Sequence, residues 1–403
     1  MATALSLAVE AAGTRGAEPL RAVLDVLRGR GPLTRSELAE TTGLSRSTIS
    51  GLVSDLRRRG LVDDRPEPGS RTGGRPATLV TLLPPAGVAV GVDIGRTHVR
   101  VVIADLGHAV LAEESVRYDV DGHPDETLAT AGQLVNSLLV AISRDSCEVI
   151  GVGLGIPAPL DGAGSIGASN ILPGWVGLRP ADLLAERLGL PVQAENDANL
   201  GALAEARWGA GRDARLVVYI KAATGIGAGI VDDGRLFRGA SGTAGELGHM
   251  TVGDGGAVCR CGNRGCLELR AGGPALLAQV RSAGHELATL TELVARARAG
   301  DPGCRRVLAD AGDSLGLAVA NLVNLINPDR IVFGGELGLA GEMVLATLRD
   351  RVSRSAVAPA AAAVTICPAE LGDRAEALGA ALLVLRDVQN FDDRLLRGLA
   401  ASR

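Results

Sequence analysis

Four candidate metal ligands lie close together in the middle of this chain. One imidazole and three thiols fall within eighteen residues, although the 403 residues include only six Cys. They are His249, Cys259, Cys261 and Cys266. Structural zinc binds four nitrogen and sulfur ligands tetrahedrally, and Gly262 and Gly265 allow the tight turn that converging thiolates need. Free Cys residues are often small buried apolar residues instead, but the Arg, Asn and Gly neighbours here favour a structural zinc site.

Two carboxylates flank this cluster. Glu246 lies three residues before His249, and Glu268 lies two residues after Cys266. Neither is needed as a metal ligand, because four ligands are already available. Their oxygens can therefore accept hydrogen bonds from a ligand rich in hydroxyl groups.

The sequence around the cluster resembles a known family signature. Residues 239–250 read GASGTAGELGHM and residues 259–268 read CRCGNRGCLE. Together they resemble the signature of the ROK family, which contains sugar kinases and sugar-responsive repressors, and the resemblance covers most of residues 88–385. It implies an α/β, two-lobed fold of the actin-like or sugar-kinase-like ATPase type, with a zinc-binding loop.

Two strand–turn–strand units, more than a hundred residues apart, favour two duplicated lobes around a cleft. In actin-like and sugar-kinase folds such a turn lies near the phosphates of a nucleotide, and glycines there let the backbone approach them. The candidate phosphate-loop residues are Asp93, Gly95 and Thr97 in the first turn and Thr224, Gly225 and Gly227 in the second.

The resemblance also assigns the sugar site. Residue by residue, it implies that the sugar contacts Asn196, Asp197, Glu246, His249 and Glu268. In the kinases Asp197 would be the general base that accepts the proton of the phosphorylated hydroxyl. Asn170, which precedes a Pro-Gly-Trp segment, is a further candidate sugar contact. The alternative for Asn196 and Asp197 is a helix cap after a strand.

One position departs from the kinase pattern. The kinases carry Asp-x-Gly-Gly-Thr, whereas this chain has Arg96 in place of the second glycine. A side chain there adds bulk where a phosphate would approach the backbone. This argues against ATP use, although the sugar-site residues are all present.

The N-terminal part predicts a winged helix-turn-helix. Apolar residues recur at helical spacing from Leu20 to Leu27, and Thr34 with Glu37 forms a capping box that begins the second helix. Gly43 permits the sharp turn, and a third helix follows Ser45. Two strands, around residues 61–63 and 78–82, flank a Gly-, Pro- and Arg-rich wing. The alternative for this module is protein contact alone.

The exposed start of the third helix is where this motif reads base edges. The wing offers guanidinium groups for phosphate or minor-groove contacts. The candidate DNA-binding residues are Arg35, Arg46, Ser47, Thr48, Ser50, Arg71 and Arg75.

Charge and composition fit a two-module intracellular protein. Residues 1–83 hold 12 Arg against 9 Asp and Glu, so the remainder of this chain of net charge −5 carries −8. No apolar run reaches the ~18–20 residues that span a bilayer, and the N-terminus lacks a signal-peptide pattern. Cys147, Cys304 and Cys367 show no disulfide spacing, so we expect a cytoplasmic protein. The expected segments are a tail (1–18), the winged helix-turn-helix (19–83), a linker (84–87), the ROK domain (88–385) and a C-terminal helix (386–403).

The sequence therefore favours a sugar-responsive transcriptional regulator, expected to be a repressor. Its expected partners are double-stranded operator DNA, a sugar or sugar-phosphate effector, and further copies of itself in a homodimer or homotetramer, with no membrane. The second hypothesis is an ATP-dependent sugar kinase with a DNA-binding head. A third is a zinc-stabilised scaffold that binds no ligand and whose winged helix mediates oligomerisation.

Overall fold

A computed structural model gives an α/β fold in which three sheets follow one another along the chain. The first sheet belongs to the N-terminal module, and the other two have five strands each and form two lobes. The structure describes residues 19–20, 22–24, 26–27, 32–58, 62–66, 78–82, 87–105, 109–167, 172–253 and 255–386.

The N-terminal module has the expected helix-turn-helix. Helix α1 (Arg35–Thr42) begins at a capping box, in which the Glu37 amide donates to Thr34 Oγ1 at 3.2 Å and the Thr34 amide donates to Glu37 Oε2 at 2.8 Å. It ends at Gly43, whose φ of 69° is left-handed. Helix α2 (Arg46–Arg58) buries one apolar face against this module. Its buried residues are Ile49, Val53 and Leu56.

A small antiparallel sheet completes the winged helix. Its strands are β1 (Leu33–Thr34), β2 (Val62–Pro66) and β3 (Thr78–Leu82), in the order β1-β3-β2. Strands β2 and β3 pair on either side of the segment expected to form the wing, and Arg71 and Arg75 in that segment lie outside the described residues.

The first lobe is a mixed sheet in the order β6-β5-β4-β7-β8. Strands β4, β5 and β6 are antiparallel neighbours, and β7 and β8 continue the sheet in parallel from β4. All seven residues of β4 are buried, as expected for a central strand. The elements are β4 (Val88–Ile94), β5 (His98–Asp105), β6 (Val110–Arg117), α3 (Pro124–Ala141), β7 (Val149–Ile156), α4 (Pro180–Leu188) and β8 (Val192–Asn196).

The second lobe repeats this arrangement. Its central strand pairs antiparallel with the following strand and parallel with a later one, in the order β11-β10-β9-β12-β13. The expected duplication of the strand–turn–strand unit is therefore present. The elements are α5 (Asp197–Trp208), β9 (Leu216–Ala222), β10 (Ile226–Asp232), β11 (Arg235–Leu236), α6 (Glu268–Ala271), α7 (Gly273–Ser282), α8 (Leu290–Arg298), α9 (Pro302–Ile326), β12 (Arg330–Gly334), α10 (Glu342–Ser355), α11 (Ala358–Ala363) and β13 (Thr365–Pro368).

The last described helix, α12 (Ala375–Arg386), packs on the sheet of the first lobe and on α5 at backbone distance. A Cβ on Gly91 of β4 would overlap the Ala377 carbonyl, and one on Gly153 of β7 would overlap the Ala380 carbonyl. These glycines therefore determine how closely α12 approaches β4 and β7. The expected C-terminal helix beyond residue 386 lies outside the described residues.

None of the helices in the described ranges combines the length and the apolar character needed to cross a membrane.

The Gly153 contact generates a stability prediction. Replacement of Gly153 by Ala should lower the free energy of unfolding by ~1–3 kcal/mol or more, because the added methyl overlaps backbone that cannot rotate away. Gly167→Ala is the matched control, since nothing lies within 4 Å of a Cβ there. Denaturant unfolding of the two variants gives the comparison. Equal stability of both would show that α12 does not pack at this distance.

Candidate functional site

The four candidate metal ligands converge in the structure. Their ligand atoms all lie within 4.8 Å of one another. Cys261 Sγ lies 3.6 Å from Cys266 Sγ, and Cys259 Sγ lies 3.7 Å from His249 Nδ1. A tetrahedral zinc ion with Zn–S bonds of about 2.3 Å implies S···S separations of about 3.8 Å. The residues present therefore fit a four-coordinate ion, and four protein ligands would leave no coordination position for water.

Backbone hydrogen bonds hold the thiol loop. The Cys259 amide donates to the Asn263 carbonyl at 2.7 Å, and the Gly262 amide donates to the Cys259 carbonyl at 2.8 Å. Gly262 and Gly265 adopt left-handed φ values of 89° and 73°. Burial raises the pKa of the Cys266 thiol to about 12, with neighbouring thiols adding to the rise. A bound cation would hold these sulfurs as thiolates.

A second group of potential ligands, His285, Asp301 and Cys304, has another explanation. Asp301 is the N-cap of α9 and accepts a hydrogen bond from the Cys304 amide at 2.9 Å. Its other oxygen lies 3.5 Å from both His285 Nε2 and Arg296 Nε. These contacts account for Asp301 without a metal ion.

Asn196, one of the candidate sugar contacts, is also a helix cap. It ends β8 and precedes α5, and its Oδ1 accepts from the amides of Ala198 at 3.0 Å and Asn199 at 3.3 Å. Its Nδ2 lies 3.4 Å from the Ala158 carbonyl. The cap fixes the orientation of Asn196 and leaves one Nδ2 hydrogen for a ligand.

Asp197 follows at the first position of α5 and pairs with a lysine that sequence reasoning did not assign to the site. Lys221 Nζ lies 2.9 Å from Asp197 Oδ2 and 3.1 Å from Glu376 Oε1. Burial alone would lower the pKa of Lys221, but the carboxylates of Asp197 and Glu376 hold it well above its usual value. One signal was available in the sequence, because Lys221 is the only lysine of the chain.

The carboxylates beside the thiol loop lie near each other. Glu246 Oε2 is 3.7 Å from His249 Nε2, so this histidine turns Nδ1 towards Cys259 and Nε2 towards Glu246. Burial raises the pKa of Glu246; His249 opposes the rise, while the charges of Asp197 and Glu268 add to it. Three candidate sugar-binding carboxylates thus share one electrostatic environment.

Two arginines that the sequence did not single out neutralise carboxylates at this site. Arg260 Nε lies 3.3 Å from Glu268 Oε1, and the Ile226 amide donates to Glu268 Oε2 at 3.3 Å. Arg238 Nε donates to Glu195 Oε2 at 2.6 Å. Arg260 lies within the second signature segment and Arg238 directly precedes the first, but their pairing depends on the fold.

The first candidate phosphate turn is filled by a histidine ring. Asp93 is buried at the end of β4, and its Oδ2 lies 2.9 Å from His98 Nε2. A Cβ on Gly95 would overlap the His98 ring, so the imidazole lies directly over this glycine. Arg96 instead lies 3.4 Å from Asp121 Oδ2. The expectation that Arg96 adds the bulk in this turn therefore gives way to His98.

The second candidate turn, Thr224–Gly227, joins β9 to β10 beside the sugar carboxylates. A Cβ on Gly225 would come within 2.9 Å of Glu268 Oε2, and one on Gly227 within 3.2 Å of the Ala198 Cβ. Both glycines therefore permit a close approach between this hairpin and its neighbours. In the first turn, Thr97 is exposed. Asn170 lies outside the described residues, next to a Pro173–Trp175 turn whose Trp175 is buried.

The candidate DNA-reading residues of α2 share one exposed helix start. Ile49 between them is buried, which anchors this end of the helix. Ser45 Oγ lies 2.8 Å from Ser47 Oγ and 2.7 Å from Thr48 Oγ1. The exposed residues are Arg46, Ser47, Thr48 and Ser50.

Arg35 has a partner within the module. Its guanidinium lies 2.9 Å from Asp64 Oδ2, and Arg57 lies 3.3 Å from the same oxygen. These pairs connect α1 and α2 to strand β2, and the DNA contact of Arg35 stays a prediction.

Comparison with known proteins covers both modules. Residues 22–71 match the MarR family, and residues 89–387 match the ROK family. Over 354 residues, 88% of this chain and 91% of the other, the chain is 29% identical to a xylose repressor of Bacillus subtilis.

Solved structures match the chain either over nearly its whole length or over about three quarters of it. A ROK family transcriptional regulator, described as a homologue of the E. coli MLC protein, superposes with a TM-score of 0.78 at 26% identity, covering 95% of this chain and 98% of that one. A ROK family glucokinase from Streptomyces griseus, solved with glucose and AMPPNP, gives a TM-score of 0.65 at 28% identity. It covers 74% of this chain and 99% of its own. The chain therefore belongs to the ROK family, and it carries a winged helix-turn-helix in front of the ROK domain.

Proposed function

We propose that this protein is a sugar-responsive repressor. Its winged helix binds double-stranded operator DNA, and a sugar in the ROK-domain cleft changes the affinity for that DNA. Support comes from the relatives, which include a xylose repressor that matches both modules. The observation that carries the proposal is a buried apolar cluster shared by the winged helix and helix α12 of the ROK domain.

The DNA-binding face is the exposed start of α2. Arg46 at the first position has no ion-pair partner among the described residues, so its guanidinium is available for a base edge or a phosphate. A single winged helix presents one recognition helix, and useful specificity needs two. We therefore propose a homodimer or homotetramer that binds an inverted repeat.

The effector site is built from the polar groups around Asp197. Asn196, Glu246 and Glu268 contribute an amide and carboxylates in several orientations, as recognition of a hydroxyl-rich ligand requires. The cations near these groups are each paired with a carboxylate at 2.6–3.3 Å. Because these pairs occupy the three cations and leave carboxylates in excess, a negatively charged effector is disfavoured, and we propose an uncharged sugar.

Helix α12 couples the two sites. Glu376 in its first turn lies 3.1 Å from Lys221 in the cleft. Residues at its other end belong to the cluster that also contains winged-helix residues such as Val53 and Val80. They are Ala381, Val384 and Leu385. Twelve helical residues extend about 18 Å, so a shift at one end moves the packing at the other.

The metal ion in this proposal is zinc, with a structural role. It ties the loop of Cys259, Cys261 and Cys266 to His249 and so fixes Glu246 and Glu268 on either side. This loop has little apolar core of its own, so the ion contributes directly to its folding.

Metal analysis tests the zinc assignment. We expect about one zinc ion per chain, because four protein ligands saturate the ion. Cys261→Ser should release the zinc and weaken sugar binding, whereas the control Cys367→Ser, outside the cluster, should keep both. Two ions per chain, or full zinc content in Cys261→Ser, would contradict the assignment.

Selection of DNA from a random pool tests the DNA-binding face. Wild-type protein should select an inverted repeat, and Arg46→Ala should change the preferred bases at a cost of ~1–3 kcal/mol if Arg46 contacts a guanine. Arg58→Ala at the other end of α2 is the control, because Arg58 pairs with Asp55. If a monomer selected an asymmetric site, the proposed oligomer on an inverted repeat would be ruled out.

A cavity variant tests the coupling through α12. Leu385→Ala and Leu348→Ala each truncate a fully buried leucine at an expected cost of ~2–5 kcal/mol, but only Leu385 belongs to the shared cluster. Leu385→Ala should reduce the factor by which sugar changes DNA affinity and leave sugar affinity without DNA near wild type. The measurement is fluorescence anisotropy of operator DNA with and without sugar. If Leu348→Ala reduced the factor by which sugar changes DNA affinity to the same extent, α12 would not be the route of coupling.

A further inference from the structure

Five titratable side chains from five elements meet at the base of the cleft. We call them the cleft cluster: Asp93 (β4), His98 (β5), Asp197 (α5), Lys221 (β9) and Glu376 (α12). The three carboxylates have 1–7% of their residue surface exposed. Buried carboxylates need a nearby cation to remain ionised. Lys221 supplies that cation, and His98 hydrogen-bonds to Asp93.

Lys221 has the central position in the cluster. Its Nζ lies 2.9 Å from Asp197 Oδ2 and 3.1 Å from Glu376 Oε1, and the charge of Asp93 also acts on it. The Tyr219 hydroxyl donates to the same Glu376 oxygen at 3.2 Å. One ammonium group thus connects Asp197 of the second lobe with Glu376 of α12, and the charge of Asp93 in the first lobe acts on the same group.

His98 is the second partner of these carboxylates, and its Nε2 lies 2.9 Å from Asp93 Oδ2. Burial opposes its protonation, but the hydrogen bond to Asp93 and the charges of Asp93 and Glu376 together raise the pKa of His98. Burial would likewise raise the pKa of Asp93, but His98 and Lys221 outweigh it and lower that pKa. The other oxygen of Asp93, Oδ1, is buried without a hydrogen-bond partner in the described part of the chain. This oxygen is an unused acceptor inside the cluster.

The cluster lies beside the two candidate phosphate turns, because Asp93 and His98 flank the first and Lys221 precedes the second. A similar ROK family glucokinase has been solved with AMPPNP, so a metal–nucleotide complex is the ligand to test against these residues. The residues present do not fit such a complex. The His98 ring covers Gly95 of the phosphate turn, and Lys221 already neutralises Asp197. A divalent ion bound to these carboxylates would have to displace the ammonium group or lie against it.

We infer that the Lys221 ammonium group replaces a divalent cation in this cleft, so that the protein binds its effector without a metal–nucleotide complex. The inference rests on the proposed function and deepens it. At the part of the cleft where a kinase would hold its nucleotide, the protein's own ammonium group and carboxylates pair with each other. A general base in a kinase must be free to contact the substrate hydroxyl, whereas here Asp197 Oδ2 is occupied by the Lys221 ammonium group at 2.9 Å. The paired lysine also joins the second lobe to α12 without an added ligand.

Manganese binding to the full-length, zinc-loaded protein tests the inference directly. Electron paramagnetic resonance measures the free Mn²⁺ during a titration. Wild-type protein and Lys221→Arg should bind no Mn²⁺ in the cluster, because both keep the cation. Lys221→Ala should bind one Mn²⁺ per chain, with an affinity roughly a hundredfold or more above wild type, since one buried cation is exchanged for another. Adding Asp197→Asn to Lys221→Ala should reverse this gain.

Zinc content and circular dichroism establish that each variant is folded. If Lys221→Ala does not fold alone, Mn²⁺ added during refolding should restore it, and Lys221→Gln supplies a second variant of similar length. Wild-type protein that binds Mn²⁺ and loses it with Asp93→Asn would overturn the inference, and this result needs no lysine variant. A folded Lys221→Ala variant that binds no Mn²⁺ would also overturn the inference. Neither measurement uses DNA or sugar, so the proposed repressor function is tested separately.

Discussion

The close packing of α12 is the constraint on which the rest of the structure depends. Gly91 and Gly153 on the sheet and Gly379 on the helix bring backbone against backbone, so α12 has no room to shift independently of β4, β7 and α5. Its first turn carries Glu376 into the cleft, and its last turns join the apolar cluster of the winged helix. A rearrangement around Lys221 therefore has a rigid route to the DNA-binding module.

Charge pairing gives the cleft a different character from that of a phosphoryl-transfer site. A kinase needs cations that remain available for phosphate oxygens. Here Lys221, Arg238 and Arg260 are each engaged with a carboxylate of the protein. The polar groups that remain suit hydroxyl recognition, and the zinc loop keeps Glu246 and Glu268 in position for it.

Local chemistry made much of this structure predictable from the sequence. The capping box at Thr34 and the turn at Gly43 follow from short patterns, and the convergence of the four candidate metal ligands follows from residue type and spacing. Contacts between distant residues did not follow. Nothing in the sequence near Lys221 indicates Glu376 as its partner, and the His98 ring covers Gly95 only because β5 turns back on β4. Arg96 looked decisive by position, yet its side chain turns to Asp121.

The central claim is that sugar and operator DNA influence each other's binding. Thermodynamic linkage requires that DNA change the sugar affinity by the same factor by which sugar changes the DNA affinity. Calorimetric titration of sugar into the free protein and into its operator complex measures that factor from the sugar side, and anisotropy measures it from the DNA side. The account predicts two equal factors, typically about 5–150-fold. Sugar affinity that is the same with and without operator DNA would contradict it.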